Sequence, residues 1–163
     1  PFETDADIEE IVRLVLNFKG TIDPSGSRLT INVSPFVPKA GTPFQWLPMA
    51  QRDNLDSRIS FLSNCLRSEG VSFNAESPAW SEIQAALSRG DERLTDAIVE
   101  VGKVTPPRWH QVTEKHGIDL NYYVNERWTT ETRLPWAHID AGPRYELLCS
   151  QLEKATALEH VRF

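Results

Sequence analysis

A chain of 163 residues is long enough for one domain with a sizeable buried core. Its 40% hydrophobic and 25% charged residues are those of a soluble globular protein, and a formal net charge of -6 argues against a nucleic-acid partner, whose non-specific binding needs clustered Lys and Arg. No stretch approaches the roughly 20 apolar residues that span a bilayer, so a membrane is not an expected partner either.

The chain opens Pro1-Phe2-Glu3-Thr4-Asp5-Ala6-Asp7, acidic and with no apolar run behind it, unlike a signal peptide. Having no initiator Met, it is expected to begin inside something longer or to follow processing. Thr4 or Asp5 starts a first helix, with Ile8, Ile11, Val12, Val15 and Leu16 at helical spacing and Gly20 as its end. The segment 21–27, with Pro24, Ser25 and Gly26, reads as a loop. Leu29, Ile31 and Val33 then alternate with Thr30, Asn32 and Ser34, the pattern of a strand. Pro35, Pro38 and Pro43 follow, and proline donates no ladder hydrogen bond, so Ser34 to Trp46 reads as an ordered, extended loop. Its prolines suit a polyproline-type ligand, but Phe36, Phe44 and Trp46 point instead to a segment packed on its own core.

A second helix is expected from about Met49 to Ser68, striped by Leu55, Ile59, Leu62 and Leu66, with Gly70 as its C-terminal cap. Val71 and Phe73 make a short strand at best. Ser77 with Pro78 begins a third helix whose inner face is read as Trp80, Ile83 and Leu87, and Leu94, Ala97, Ile98 and Val101 mark a fourth. Pro106 and Pro107 form a boundary. Short helices surround Trp109–His116 and Leu120–Val124, and a last helix covers about Pro143 to Glu159, with Tyr145, Leu148, Leu152 and Ala155 on one face. A lone strand presents unpaired donors and acceptors, so 29–34 is expected to pair with the Val71–Phe73 region or with a second copy of itself, the latter giving a homodimer.

Few residues announce chemistry. Cys65 and Cys149 lie in apolar helical patterns and read as buried reduced thiols of a cytoplasmic protein, with a disulfide or a shared metal as alternatives. His138 and Asp140, two positions apart, are candidate substrate-binding residues; locally, Asp140 would cap the last helix and His138 would bond nearby. His110 and His116 lack the spacing and the adjacent Glu of a helical zinc pair. No serine sits in a Gly-x-Ser-x-Gly turn and no phosphate-cradling Gly-rich loop is present. Among five tryptophans, core anchoring outweighs base stacking in so acidic a chain.

Three segments carry a family likeness. Pro1 to Ile8 resembles the turn after the fifth barrel strand of radical S-adenosylmethionine (radical SAM) enzymes. Ile31-Asn32-Val33-Ser34-Pro35-Phe36-Val37-Pro38-Lys39-Ala40-Gly41-Thr42-Pro43-Phe44-Gln45-Trp46 resembles the sixth strand and its exit loop in the branch with an N-terminal cobalamin-binding-type domain. Leu134 to Gly142 is similar to a later segment of that branch, with Ala137 where Asp is frequent. The resemblance implies an α/β, predominantly helical fragment: residues 1–70 as the last helix-strand-helix unit of a partial TIM-type barrel, and 71–163 as a helical C-terminal extension. It places Glu3 near the adenosyl group, and Pro35, Phe36 and Val37 as a wall for the adenine ring. It implies a parent that cleaves S-adenosylmethionine to a 5′-deoxyadenosyl radical with a 4Fe–4S cluster, leaving cobalamin open as a further cofactor. The family's Cys-x-x-x-Cys-x-x-Cys is absent, so this chain by itself is expected to hold no cofactor and no metal and to be inactive, its partner being the missing N-terminal part of the parent. The rival reading is a freestanding helical interaction module.

Overall fold

A computed structural model describes residues 2–22, 28–140 and 142–159. They fall into two compact units: residues 2–35 with 50–78, and residues 36–49 with 79 onward. The expected division at 70/71 lies between two elements of the same unit. The loop anticipated at Pro24, Ser25 and Gly26 lies outside the described residues.

The first unit contains α1 (Asp5–Thr21), β1 (Thr30–Val33), α2 (Arg52–Ser68) and β2 (Ser72–Ala75). Thr4 caps α1 through a capping box: its hydroxyl accepts from the Asp7 amide at 3.3 Å, and the Asp7 carboxylate accepts from the Thr4 amide at 2.8 Å. Gly20 does not end this helix, which runs one residue further. Helix α2 begins at Arg52 rather than Met49, because 45–49 is held elsewhere by its backbone. Gly70, at φ 73°, takes the left-handed turn closing α2, and the Val71 amide donates back to the Leu66 carbonyl at 3.0 Å.

The strand that looked marginal is formed. β1 and β2 pair in parallel, Thr30 opposite Ser72 through Val33 opposite Ala75, so of the two pairings considered for 29–34 the intrachain one is present. The expected helix-strand-helix unit is thus extended to helix-strand-helix-strand. Ile8, Val15, Leu62, Leu66, Val71 and Phe73 form its core, with Ile31 and Val33 packed against it. The opposite face presents Thr30, Asn32, Ser72 and Asn74, the two asparagines bonded side chain to side chain at 3.0 Å. Within the described residues each strand has one neighbour only, leaving its outer edge unpaired.

The second unit contains α3 (Pro78–Ser88), a 3-10 turn at Glu92–Leu94, α4 (Thr95–Val101), α5 (Pro106–Lys115), α6 (Leu120–Val124) and α7 (Tyr145–Glu159). Pro106 and Pro107 mark the boundary after α4 by opening α5, since a first-turn proline lacks only an amide that has no intrahelical acceptor. The inner face of α3 is only in part the one expected: Ile83 is buried as read. Trp80 and Leu87 are both 48% exposed, and the buried stripe is Ala79, Ser81, Ile83, Ala85 and Ala86. Ile98 of α4 is likewise half exposed. Small residues let backbones approach, and here they outcompete bulk.

Segment 36–49 belongs to this second unit. It turns tightly between Thr42 and Leu47 rather than staying extended, with Gln45 and Leu47 amides bonded to the carbonyls of Thr42 and Phe44. The Trp128 amide donates to the Trp46 carbonyl at 2.9 Å, and the Met49 amide to the Val124 carbonyl at 2.9 Å. Trp46 is fully buried and Leu47 and Met49 nearly so. This is the packed segment rather than a free proline-rich ligand. No helix of the described residues is long and apolar enough to cross a membrane.

Candidate functional site

Segments Gly41–Gln45 and Leu134–Gly142, far apart in sequence, meet in the second unit. Their junction is Gln45, which is buried. Its side-chain oxygen accepts from the Gly41 amide at 2.9 Å and from the Trp136 indole N–H at 2.9 Å. Both donors can only donate, which fixes the amide orientation: oxygen toward Gly41 and Trp136, NH2 away from them.

Behind Trp136 runs an aromatic column. Trp136 stacks on Trp128 at 6.3 Å and 29°, and Trp128 donates its indole N–H to the Tyr122 carbonyl at 3.1 Å. The Arg89 guanidinium lies 3.7 Å over the Trp128 ring. Arg89 is completely buried and donates to the Glu126 carbonyl at 3.0 Å, while two of its nitrogens have no partner among the described residues. Burial pulls its pKa down to about 10, against the opposing pull of Tyr122 and Glu126.

In front of Gln45 and Trp136 opens a cavity of about 530 Å³, bounded by residues from the 41–45 turn, the 130–142 stretch and the start of α7. That volume is in the range of small-molecule sites, about 300–1,000 Å³. Tyr145 forms one wall, edge-on to Trp46 at 5.7 Å and with its hydroxyl donating to the Thr130 carbonyl. Partial burial first, and the neighbouring Cys149 thiol second, raise the Tyr145 hydroxyl above its usual range. Arg133 and Arg144 stand on the rim with no ion pair to a described residue; Glu131, Asp140 and Glu146 complete it.

The residues expected to carry function are distributed differently. Asp140 borders the cavity, but His138 is not among its lining residues. Asp140 does not cap the last helix: its carboxylate accepts from the Gly142 amide at 3.1 Å, turning the chain three residues before α7 begins. Glu3 is exposed at the head of α1, and its carbonyl accepts from Arg58 at 3.1 Å. Pro35 is buried at the end of β1 in the first unit; Phe36 and Val37 are half-buried in the second, Phe36 edge-on to Phe44 at 6.0 Å. Cys65 and Cys149 are free thiols, half-buried rather than buried, on α2 and α7. No three His, Cys, Asp or Glu side chains converge among the described residues. His116 Nε2 lies 2.9 Å from the Glu100 carboxylate in a surface ion network with Lys115, and His110 Nε2 lies 3.5 Å from Glu82 without hydrogen-bond alignment.

Sequence reasoning missed Gln45, Arg133, Arg144 and Tyr145 as a group. The one local signal was Gln45 itself, a lone polar residue between Phe44 and Trp46 in an otherwise apolar run.

Among known proteins the chain is similar to an uncharacterized archaeal protein. Over 97 residues, 58% of this chain, it is 33% identical to the uncharacterized protein MJ0966 of Methanocaldococcus jannaschii. The matched stretch is 20% of that protein, so the chain spans about a fifth of its relative's length. No family model and no solved structure matches.

Proposed function

We propose that this chain is the C-terminal part of a radical S-adenosylmethionine enzyme and forms the last wall of its barrel together with a helical extension. The observation that carries this reading is the first unit: two parallel strands backed by helices on one face, with both outer edges unpaired and a polar opposite face of Thr30, Asn32, Ser72 and Asn74. A parallel barrel is built from such units, its strands pairing on both edges and presenting their free faces to the lumen. A relative about five times longer than the matched stretch is in keeping with further strands elsewhere in a parent chain. In this reading Glu3 and Pro35, Phe36 and Val37 sit at the strand ends where ligands of parallel sheets bind, contributing to an adenosine wall. The parent is cytoplasmic and supplies the 4Fe–4S cluster and most cofactor contacts; cobalamin is a further group for it to hold. The three thiolates needed by the cluster are not here, so this chain by itself is not the catalyst.

The test is made on the parent. Reading the coding sequence upstream of Pro1 should reveal Cys-x-x-x-Cys-x-x-Cys, and anaerobic reconstitution with iron and sulfide should release 5′-deoxyadenosine from S-adenosylmethionine. A start codon just before Pro1, or a reconstituted parent that leaves the sulfonium intact, overturns the proposal.

A second reading, a helical interaction module, is favoured by Leu14 and Phe18, exposed one helical turn apart on α1. The upstream sequence separates the two readings, because in a barrel that face is covered by the parent's own preceding elements.

A further inference from the structure

The cavity in front of Gln45 carries an inference that does not depend on radical chemistry, because every group that forms it belongs to this chain. We infer that it binds a small carboxylic acid with a flat apolar body, the acid on Gln45, Arg133 and Arg144 and the body against Trp136 and Tyr145. Gln45 is 1% exposed, and the two donors on its oxygen turn its NH2 group away from them. Gln45 lines the cavity, and its side-chain hydrogen bonds among the described residues are both to its oxygen, which leaves the NH2 open to an acceptor from a ligand. Arg133 and Arg144, both without an ion pair, add two charged forks of the kind that hold a carboxylate bidentately.

The apolar half follows from the aromatic column. Trp136 is clamped on one face by Trp128 and by its indole bond to Gln45, so it lines the cavity in a fixed orientation. Tyr145 is fixed the same way by Trp46 and by the Thr130 carbonyl. Rigid aromatic walls select flat apolar bodies. The carboxylates of Glu131, Asp140 and Glu146 on the same rim outnumber the two arginines, so each further negative charge on a ligand is penalised and a monoanion is favoured over nucleotides and oligophosphates. They also offer a seat for an ammonium, so the acid is either a free aryl acid or an aromatic amino acid, sharing one mode of binding.

The experiment titrates the purified chain with phenylacetate, L-phenylalanine, acetate and adenosine monophosphate, following the Trp136 indole N–H by NMR. Phenylacetate or L-phenylalanine is expected to shift that resonance saturably, with acetate and the nucleotide at least tenfold weaker; the tighter of the first two identifies the source of the acid. Arg133→Gln with Arg144→Gln should weaken binding by about tenfold or more, the usual effect of losing charge-assisted hydrogen bonds. Gln45→Glu keeps the acceptor for Gly41 and Trp136 while replacing the donor by a negative charge, and should abolish binding with the indole bond intact. Absence of a saturable shift with either aryl acid, binding undiminished in these variants, or tighter binding of the nucleotide would each overturn the inference.

Discussion

Arg89→Met tests the aromatic column at its most expensive point. The guanidinium is completely buried over Trp128, with one bond to the Glu126 carbonyl and two nitrogens unpartnered. The fall of its pKa to about 10 marks a net penalty on the buried charge on the order of 3 kcal/mol, at about 1.4 kcal/mol per pH unit, after Tyr122 and Glu126 have offset part of the desolvation. Against this stand the carbonyl bond, about 1.5–3 kcal/mol for a charged donor, and the stacking on Trp128, about 0.5–2 kcal/mol. The opposing contributions nearly cancel. Methionine keeps an unbranched stem over the indole and removes the charge, so urea unfolding followed by tryptophan fluorescence should place Arg89→Met within about 1 kcal/mol of the wild type. Arg89→Ala loses the stem as well and should fall by about 2–5 kcal/mol, as other large-to-alanine core changes do. The sign with pH follows: a folded-state pKa below the unfolded one makes the charge a penalty at neutral pH, relieved as pH rises through about 10. The wild type should therefore gain on Arg89→Met in alkali. An Arg89→Met variant as unstable as Arg89→Ala would refute this account and mean that the charge itself is required.

Three further outcomes are expected. Thr4→Ala removes the capping box of α1 and should cost about 1 kcal/mol, read from faster amide exchange in the first turn of that helix. Phe73→Ala opens a cavity among Ile8, Val15, Leu62 and Leu66 and should destabilise the first unit by about 3–5 kcal/mol, seen as lost exchange protection in α1 and α2 while α5 keeps its own. Glu100 is held below the usual glutamate range, first by the Lys115 ammonium and then by His116. Its contribution is complete above the unfolded pKa of about 4.3 and is lost as pH falls through the lower folded value. The urea midpoint of Glu100→Gln should accordingly vary less than that of the wild type in that acid window; identical profiles would remove Glu100 from the network.

What the sequence made legible was local. The period of Ile8, Val15, Leu62 and Leu66 and the alternation of Leu29, Ile31 and Val33 located α1, α2 and β1, because each pattern is set by the residue's own backbone geometry. β2 was nearly invisible, since Ser72–Ala75 has a single large apolar residue and is ordered by its partner strand. The inner face of α3 was in part misassigned for a related reason: hydrophobicity picks Trp80 and Leu87, while close approach picks Ala85 and Ala86, both fully buried. The cavity was the least legible feature. It depends on a bond between Gln45 and Trp136 across 91 positions, and nothing in either neighbourhood names the other. The resemblance drew attention to both segments but to neither of these residues.

The place of 36–49 has a consequence for how this chain can be divided. Because that stretch lies between two pieces of the first unit yet supplies Gln45, Trp46 and Leu47 to the second, the backbone passes from one unit to the other after residues 35, 49 and 78. No single cut yields two intact halves. A protein ending at residue 78 retains a stretch whose indole has lost its burial, and one beginning at residue 79 lacks the turn that Trp128 and Trp136 close upon. In gene shuffling or fusion the two units can therefore be inherited only together, so the helical second unit is tied to the strand unit as its heritable companion.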